Sequence, residues 1–274
     1  MSDRIKQIAN QLNYPKGLLA SQVAIITGSS QGIGAECARL FVNEGSRVIV
    51  SDIDAAKASH VADKIRGNGG EAVAVPGDLL RDEYIKELFG KAAEFGGGKI
   101  HTIVNNAGFT WDAVIHKMTD KHWETIVALH ATVPFKLVRE AAPYFRTKDG
   151  EPRNILKISS TSGLHGNASQ INYAIAKAGG VGLTKTIAKE WGPGFGVRAN
   201  TVAFGHIETR LTANKEAGTF VKKQKAGGVV PYIDIPLRRP GSATEAASTI
   251  LAIASPFSSH ISGQTISVAG GRNM

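Results

Sequence analysis

Two side chains of one predicted helix have types and a spacing that suit proton transfer. Tyr173 and Lys177 are four residues apart and therefore project from the same helical face. A phenol has an ordinary pKa of about 10, and a neighbouring ammonium group lowers that pKa by favouring the phenolate. Ser160 ends a predicted strand, from which its hydroxyl can reach the same carbonyl oxygen as Tyr173. These three side chains predict a tyrosine general acid or base acting on a carbonyl or an alcohol.

A glycine-rich stretch between the first predicted strand and the first predicted helix suits a phosphate group. Gly28, Gly32 and Gly34 lie in this stretch. Free backbone N–H groups at a helix N-terminus bind pyrophosphate, and glycines permit the tight turn, the approach of the phosphate and close helix packing. The spacing reads GxxxGxG and departs from the general GxGxxG fingerprint, so the stretch alone is a weak signal.

An acidic residue at the end of the second predicted strand bears on cofactor choice. Asp52 stands where a carboxylate accepts hydrogen bonds from adenosine ribose hydroxyls and repels a 2′-phosphate. Gln31 occupies the place in the glycine loop where a basic residue would neutralise that phosphate. We therefore expect NAD(H) to be preferred, with NADP(H) as the alternative. Two other interpretations stay open: Asp52 is a solvated strand-end acid, or Asp54 contributes instead.

The elements that must position these residues alternate along the chain. Predicted strands cover residues 23–27, 47–51, 71–76, 101–105, 154–160, 197–202 and 264–268. Predicted helices cover 33–43, 54–67, 81–95, 120–145 with an interruption near Pro134, and 172–191. Strands alternating with helices need crossover connections, which give a parallel sheet covered on both faces. We predict one α/β domain over residues 21–274, doubly wound and Rossmann-type, with a seven-stranded parallel sheet.

Two segments lie outside this alternation. Residues 1–20 form an N-terminal extension whose apolar spacing predicts a short helix, with a mitochondrial leader as the alternative. Residues 211–241 are irregular, and a loop of that length in a compact domain predicts a substrate lid, with a disordered insertion as the alternative.

Composition and charge limit the classes of protein. The chain has 274 residues, of which 42% are hydrophobic and 20% charged, as in ordinary globular proteins. No apolar run is long enough to span a bilayer, and no nucleic-acid-binding signature is present. The formal charge of +9 favours an anionic partner. Basic residues flank the predicted lid: Lys215, Lys222, Lys223, Lys225, Arg238 and Arg239. They suit a coenzyme A phosphate or an acidic carrier protein, although a solvated loop surface explains them equally well.

Taken in order, several motifs resemble the short-chain dehydrogenase/reductase family over residues 23–271. They are TGxxxGxG at residues 27–34, Asp78, the Asn-Asn-Ala-Gly run at 105–108, Ser160, and Tyr173 with Lys177. Together they are far more specific than any one of them. The most similar branch contains the 3-oxoacyl-[acyl-carrier-protein] reductases and related NAD-dependent hydroxyacyl or hydroxysteroid dehydrogenases.

The resemblance implies a role for each matching position. Tyr173 would be the general acid or base, Ser160 would hydrogen-bond the substrate oxygen, and Lys177 would lower the pKa of Tyr173 and hold the nicotinamide ribose. Hydride would pass directly between nicotinamide C4 and the substrate carbon. The implied cofactor contacts are Gly28, Ser30, Gln31, Gly32, Ile33, Gly34, Asp52, Ile53, Asp78, Leu79, Asn105, Ala107, Gly108, Tyr173, Lys177, Ile207 and Thr209.

His130 stands where the family usually has an asparagine that helps to hold a water beside the lysine. As a fourth catalytic candidate, His130 would hold the same water and titrate near neutrality. The alternative is a core histidine that is hydrogen-bonded to the backbone.

The resemblance implies reduction of a 3-oxoacyl thioester, carried by acyl-carrier protein or coenzyme A, in fatty acid metabolism. The alternatives are a dehydrogenase of a steroid, sugar or other small alcohol, and a weakly catalytic NAD-binding module. We further expect a cytoplasmic homotetramer, with a mitochondrial location as the alternative, and no nucleic acid, membrane or metal partner.

Overall fold

Seven parallel strands form one sheet within residues 16–209 and 234–272, the part of the chain that this computed structural model describes. The strands are β1 Val23–Thr27, β2 Arg47–Ser51, β3 Ala72–Ala74, β4 Thr102–Asn105, β5 Arg153–Ser160, β6 Val197–Phe204 and β7 Thr265–Val268. They lie in the order β3-β2-β1-β4-β5-β6-β7. The prediction of a seven-stranded, doubly wound parallel sheet is confirmed.

Helices cover both faces of this sheet. They are α1 Gly32–Asn43, α2 Ala55–Gly67, α3 Asp82–Gly96, α4 Asp120–Val127, α5 Val133–Phe145, α6 Ser162–His165, α7 Ile171–Phe195 and α8 Ala243–Ala254. One buried cluster joins the sheet to α1, α2 and α8, as Phe41 and Ile250 illustrate. A second cluster on the other face joins it to α3, α5 and α7 through Leu88, Leu137 and Ile187. Burial on both faces explains why the strands read as continuous apolar runs.

The strand order reverses between β1 and β4, and this places the predicted site. In an open parallel sheet, ligands bind outside the carboxyl ends of the strands at such a switch point. Gly28 directly follows β1, Asn106 follows β4 and Ser160 ends β5. Three segments that are distant in sequence therefore meet at one edge of the sheet.

The predicted helix over 120–145 is interrupted close to Pro134, which agrees with the prediction. A π-helical turn, Ala128–Thr132, separates α4 from α5, and Pro134 lies in the first turn of α5. The backbone stays in the right-handed helical region from Val127 to Val133, so Pro134 lies within a continuous helix, where it lacks the N–H that would bond a carbonyl of the preceding turn. The π turn carries His130, and such turns often occur at functional sites.

Three other predictions needed correction. Helix α7 continues beyond the predicted end at residue 191 to Phe195. Helix α8 was not predicted, and neither was the short α6. A capping box begins α8: Ser242 Oγ accepts a hydrogen bond from the Glu245 backbone at 3.1 Å, and Glu245 Oε2 accepts one from the Ser242 backbone at 2.8 Å.

Both ends of the chain and most of the predicted lid lie outside the described residues. The structure therefore does not test the N-terminal helix, or the part of the lid that contains Lys215, Lys222, Lys223 and Lys225. Residues 16–22 are described and pack on the domain, since Leu19 is buried and the Leu18 N–H donates to Glu44. No helix in the described ranges has both the length and the apolar character required to cross a membrane.

Candidate active site

A cleft of about 540 Å³ opens at the carboxyl ends of the central strands and contains both halves of the predicted site. The predicted residues that line it are Gly28, Gln31, Gly32, Ile33, Gly34, Asp52, Ile53, Asp78, Leu79, Ala107, Gly108, His130, Ser160, Tyr173, Lys177, Ile207 and Thr209. The glycine loop and the Tyr173 helix thus face one continuous space. Its lining combines glycines, apolar side chains and a few polar groups, which suits a dinucleotide together with a small substrate.

Two residues of the predicted cofactor set do not line the cleft. Ser30 is buried, and its backbone N–H donates to Asp52 Oδ2 at 3.1 Å. Asn105 is the last residue of β4, is paired in register with Lys157 of β5, and is only 3% exposed. Direct cofactor contact by these two side chains is therefore not supported.

The cleft also has walls that the prediction did not include: Gly77, Leu80, Phe109, Thr125, Leu129, Ile158 and Ser159. Most of these residues lie near the strand ends to which the sequence analysis assigned site residues. Their closeness in sequence to those positions would have identified them as lining residues. Thr125 and Leu129 lie instead on α4 and the π turn. Leu129 directly precedes the predicted site residue His130, whereas nothing in the local sequence indicates that Thr125 faces the cleft.

The glycine loop forms a concave backbone surface, called the glycine cradle below. Side chains in place of its glycines would fill the space that it leaves open. Gly28 and Gly32 have positive φ angles of 64° and 57°. A Cβ atom on Gly34 would lie 2.3 Å from the carbonyl oxygen of Gly28, so no larger residue fits there. Helix α1 begins at Gly32, which directs its first N–H groups towards the loop. The cradle therefore fits the pyrophosphate of a nicotinamide dinucleotide.

The Asp52 carboxylate is held in place at the cleft. Its Oδ2 accepts from Ser30 N, and its Oδ1 accepts from Asp54 N, both at 3.1 Å. The Asp54 side chain caps α2 instead, where it accepts a hydrogen bond from the Lys57 backbone N–H at 3.1 Å. Of the two acids, Asp52 is the one that lines the cleft.

Tyr173 is buried, and its hydroxyl lies near enough to the Ser160 hydroxyl for the two to interact. Burial raises the pKa of Tyr173 to about 12; the Ser160 hydroxyl opposes this shift, and the Asp112 carboxylate adds to it. The expectation that Lys177 lowers this pKa is not met. Removal from water dominates instead, since it penalises the phenolate.

The amino group of Lys177 is hydrogen-bonded to the backbone. Its Nζ donates to the carbonyl oxygen of Ile158 at 2.8 Å and lies 5.3 Å from the centroid of the Tyr173 ring. Burial lowers the pKa of Lys177 to about 7. This group therefore changes its charge near neutrality, which explains why it does not act as a permanent cation beside the phenol.

His130 occupies the π turn and packs edge-on against Tyr173, with ring centroids 5.1 Å apart. Its Nε2 donates to the carbonyl oxygen of Phe109 at 2.8 Å, as a core histidine would. Gly108 makes room for the ring, because a Cβ there would lie 2.2 Å from Cε1. Among the described residues, Nδ1 has no hydrogen-bond partner.

The expected titration of His130 near neutrality is wrong. Burial is the largest cause that holds its pKa well below the ordinary value, and the charges of Lys177 and Lys157 add to it. His130 is therefore a neutral imidazole whose Nδ1 can accept a hydrogen bond.

The fold and the cleft together define an oxidoreductase that binds a nicotinamide dinucleotide. A family model described as "Enoyl-(Acyl carrier protein) reductase" matches residues 28–273. This chain belongs to the short-chain dehydrogenase/reductase family.

Similar proteins cover nearly the whole chain. A 3-oxoacyl-[acyl-carrier-protein] reductase of Thermotoga maritima is 34% identical over 92% of this chain and 98% of its own length. A protein of the same name from Synechocystis sp. is 36% identical over 93% of this chain and 98% of its own length. A crystal structure from Brucella melitensis, titled as a short-chain dehydrogenase/reductase and glucose/ribitol dehydrogenase, superposes with a TM-score of 0.82. The match covers 94% of this chain and 99% of the other chain. At 24% sequence identity it shows a shared fold and nothing further.

Proposed function

We propose that this oxidoreductase interconverts a 3-oxoacyl thioester and the corresponding 3-hydroxyacyl thioester, and that NAD(H) is its preferred cofactor. The observation that carries the proposal is that Ser160, Tyr173 and Lys177 line the same cleft as the glycine cradle. The relatives named 3-oxoacyl-[acyl-carrier-protein] reductase support this substrate class, because the match spans nearly their whole length.

The proton in this reaction moves through the chain's own residues. During reduction the Tyr173 O–H bond breaks and a new O–H bond forms on the substrate oxygen, while Ser160 donates a hydrogen bond to that oxygen. The bound nicotinamide supplies the hydride to the carbon or accepts it. Lys177 then returns a proton to the phenolate and recovers one from solvent, so that each reduction consumes one proton; an amine whose pKa is about 7 suits this role. In oxidation the proton moves in the opposite direction, from the substrate hydroxyl to Tyr173.

The cofactor contacts in this proposal are those that the family resemblance implies, and the positions of the lining residues support them. The backbone between Gly28 and Gly34 would hold the pyrophosphate, and Asp52 would accept from the adenosine ribose hydroxyls. The same carboxylate would repel a 2′-phosphate, which favours NAD(H). Asp78 and Leu79 would border the adenine, and Ile207 and Thr209 would meet the nicotinamide amide.

The carrier of the acyl chain is the least constrained part of the proposal. The charge of +9 suits either anionic carrier, coenzyme A or an acidic carrier protein. Among the basic residues near the predicted lid, however, Arg239 already pairs with Glu245 through two contacts of 2.8 and 2.6 Å. At least one of these basic side chains therefore already has an acidic partner within the chain. A homotetramer in the cytoplasm remains part of the proposal.

Absorbance at 340 nm tests the reaction directly. We expect NADH oxidation with an acetoacetyl thioester and slower turnover with NADPH. A trans-2-enoyl thioester in the same assay tests the double-bond reduction that the family description mentions, and a steroid, sugar and small-ketone panel tests other substrates. NADH binding without turnover of any substrate would contradict the proposal and favour a binding module.

A further inference from the structure

Gln170 stands immediately before α7 and three residues before Tyr173. Short polar side chains usually occupy such a position and cap the helix. The Gln170 side chain makes no capping bond to the described N–H groups of α7. It is only 3% exposed, and no other residue of the segment 161–170, which the structure describes throughout, is buried. A buried amide that does not cap the helix needs other partners.

The Gln170 amide joins two segments that follow different strands. Its Oε1 accepts from Ser162 Oγ at 3.1 Å and from Asn167 Nδ2 at 2.9 Å, both in the segment after β5. Its Nε2 donates to both carboxylate oxygens of Asp112, each at 3.2 Å, in the loop after β4. A carboxylate only accepts hydrogen bonds, so the amide nitrogen has to face Asp112. Asp112, the Gln170 amide and Ser162 are together called the amide bridge below.

The amide bridge leads to Ser160. The Ser162 backbone N–H donates to Ser160 Oγ at 3.1 Å. A serine hydroxyl has one proton to donate and two lone pairs to accept. Because the Ser162 N–H uses one lone pair, the Ser160 proton has to point elsewhere, and Ser160 lines the cleft. The position of Ser162 therefore limits the directions in which Ser160 can donate.

Further contacts hold the same two segments together beside the amide bridge. The Ala113 N–H donates to the Ser169 carbonyl at 2.9 Å, and Asn172 Nδ2 donates to the Trp111 carbonyl at 3.1 Å. Ser169 has a φ of 66°, a left-handed conformation that serine rarely adopts and that its surroundings have to maintain. Since these contacts do not involve the Gln170 side chain, a substitution there should alter orientation rather than folding.

We propose that Gln170 is a positioning residue that directs the Ser160 hydroxyl at the substrate oxygen. It acts through the amide bridge, which fixes Ser162 and, through the Ser162 N–H, the hydroxyl. The inference rests on the proposed function, in which Ser160 donates to that oxygen. A donor that is oriented before the reaction stabilises the charge developing on the oxygen better than one that first has to reorient. The bridge therefore affects the chemical step rather than cofactor binding.

A swap of chemical groups across the bridge tests this role. Gln170→Glu keeps the size of the side chain and an acceptor for Ser162, but it sets a carboxylate against that of Asp112, and the two repel each other. We expect kcat with an acetoacetyl thioester to fall about tenfold, while NADH affinity stays within a factor of about two. Adding Asp112→Asn returns an N–H donor to face the new carboxylate, so the double variant should recover most of the natural kcat. Asp112→Asn alone completes the double-mutant cycle.

Two further variants separate the route through Ser162 from a general effect. Ser162→Ala removes the hydroxyl that bonds Gln170 and keeps the N–H that bonds Ser160. It should lower kcat as well, and Gln170→Glu should cost less on this background because the link is already broken. Gln264→Glu is the matched control: the same atoms change on an exposed side chain, whose Nε2 donates to the Ser262 carbonyl at 3.1 Å. It should leave kcat unchanged.

Hydrogen exchange of the segment 161–170 in the cofactor-free protein tests the link without any substrate. Mass spectrometry measures the exchange of its backbone amides. Gln170→Glu and Ser162→Ala should make this segment exchange several-fold faster, because the Ser162 N–H loses a fixed acceptor. Adding Asp112→Asn to Gln170→Glu should return the exchange to the natural rate.

The two proposals fail separately. The positioning role is wrong if Gln170→Glu or Ser162→Ala keeps the natural kcat, or if Asp112→Asn does not rescue Gln170→Glu. If Gln170→Glu does not fold, Ser162→Ala and the double variant decide. If the natural chain turns over no thioester while the exchange pattern holds, the proposed substrate class is lost and the link stands. The kcat comparison is then made with whichever alcohol or ketone of the panel reacts.

Discussion

At the residue scale, one physical cause acts in opposite directions on the two central side chains. Burial penalises the charged form of each, which raises the pKa of Tyr173 to about 12 and lowers that of Lys177 to about 7. At pH 7 in the protein without ligands, Tyr173 is therefore uncharged, whereas Lys177 is protonated in about half of the molecules. Proton transfer during turnover thus starts from a neutral phenol beside an amine that can both give and take a proton.

Replacing Tyr173 by Phe removes the proton donor and keeps the ring. We expect kcat to fall by about 10²-fold or more, the usual worth of a general acid, while NADH affinity stays within a few-fold. Steady-state kinetics and fluorescence titration measure the two quantities. Tyr84→Phe is the matched control: Tyr84 is also buried with a pKa of about 12, but it bonds Ser51 and Val75. Full activity in Tyr173→Phe would rule out the mechanism.

Asp52→Ser removes the carboxylate that the Ser30 and Asp54 N–H groups hold at the cleft. We expect kcat/KM to fall with NADH and to rise with NADPH, because the repulsion of a 2′-phosphate is lost. Asp54→Ala is the control. It removes the cap of α2 at a cost of about 1 kcal/mol in stability and should leave the cofactor ratio unchanged. An unchanged ratio in Asp52→Ser would refute the role given to Asp52.

At the scale of elements, the strands were predictable because burial on both faces leaves a simple apolar run. Site residues at strand ends were predictable for the same reason, since parallel strands bring their carboxyl ends together. The interruption near Pro134 was predictable from that proline, but its π form was not, because one extra residue in a helical turn leaves no periodic signature. The buried position of Asn105 and the neutral His130 depend on tertiary packing, which a linear sequence does not show.

Helix α8 was missed although a local signal existed. Its sequence is rich in Ala, Ser and Thr and has a weak apolar stripe, so periodicity alone does not reveal it. Ser242 and Glu245 have the spacing of a capping box, and this spacing would have indicated the start of the helix.

Ser242→Ala tests how far this cap stabilises the domain. We expect a loss of about 1 kcal/mol in the free energy of unfolding, measured by urea denaturation, because the Glu245 N–H loses its acceptor. Ser248→Ala lies on the same helix, and its hydroxyl donates only to the exposed carbonyl of Thr244. That control should change stability by less than half as much; equal losses would assign no special role to the cap.

At the scale of the whole molecule, the buried lysines link stability to pH. The folded pKa of Lys177, about 7, lies below its ordinary value of 10.5, so the unfolded chain binds more protons between these values. Stability therefore rises with pH across this window, and it is lost as pH falls towards 7. Lys157, which lies inside β5 and is 1% exposed, acts in the same direction. Cys37 opposes them only above the ordinary pKa of a thiol, because burial raises its pKa.

We therefore expect the free energy of unfolding of the cofactor-free protein to increase from pH 7 to pH 8.5. One proton contributes a slope of at most about 1.4 kcal/mol per pH unit. Urea denaturation at several pH values measures it, and Lys157→Gln should show a smaller slope than the natural chain. A flat or falling profile would mean that neither lysine is buried as described.

The bridge between Ile207 and Gly241 brings together the two ends of the segment that joins the cofactor cleft to α8. The Glu208 N–H donates to the Gly241 carbonyl, and the Gly241 N–H donates to the His206 carbonyl. A segment whose ends are fixed side by side can gain or lose residues at little entropic cost, and without moving the sheet. In evolution this is where the chain length should vary most freely.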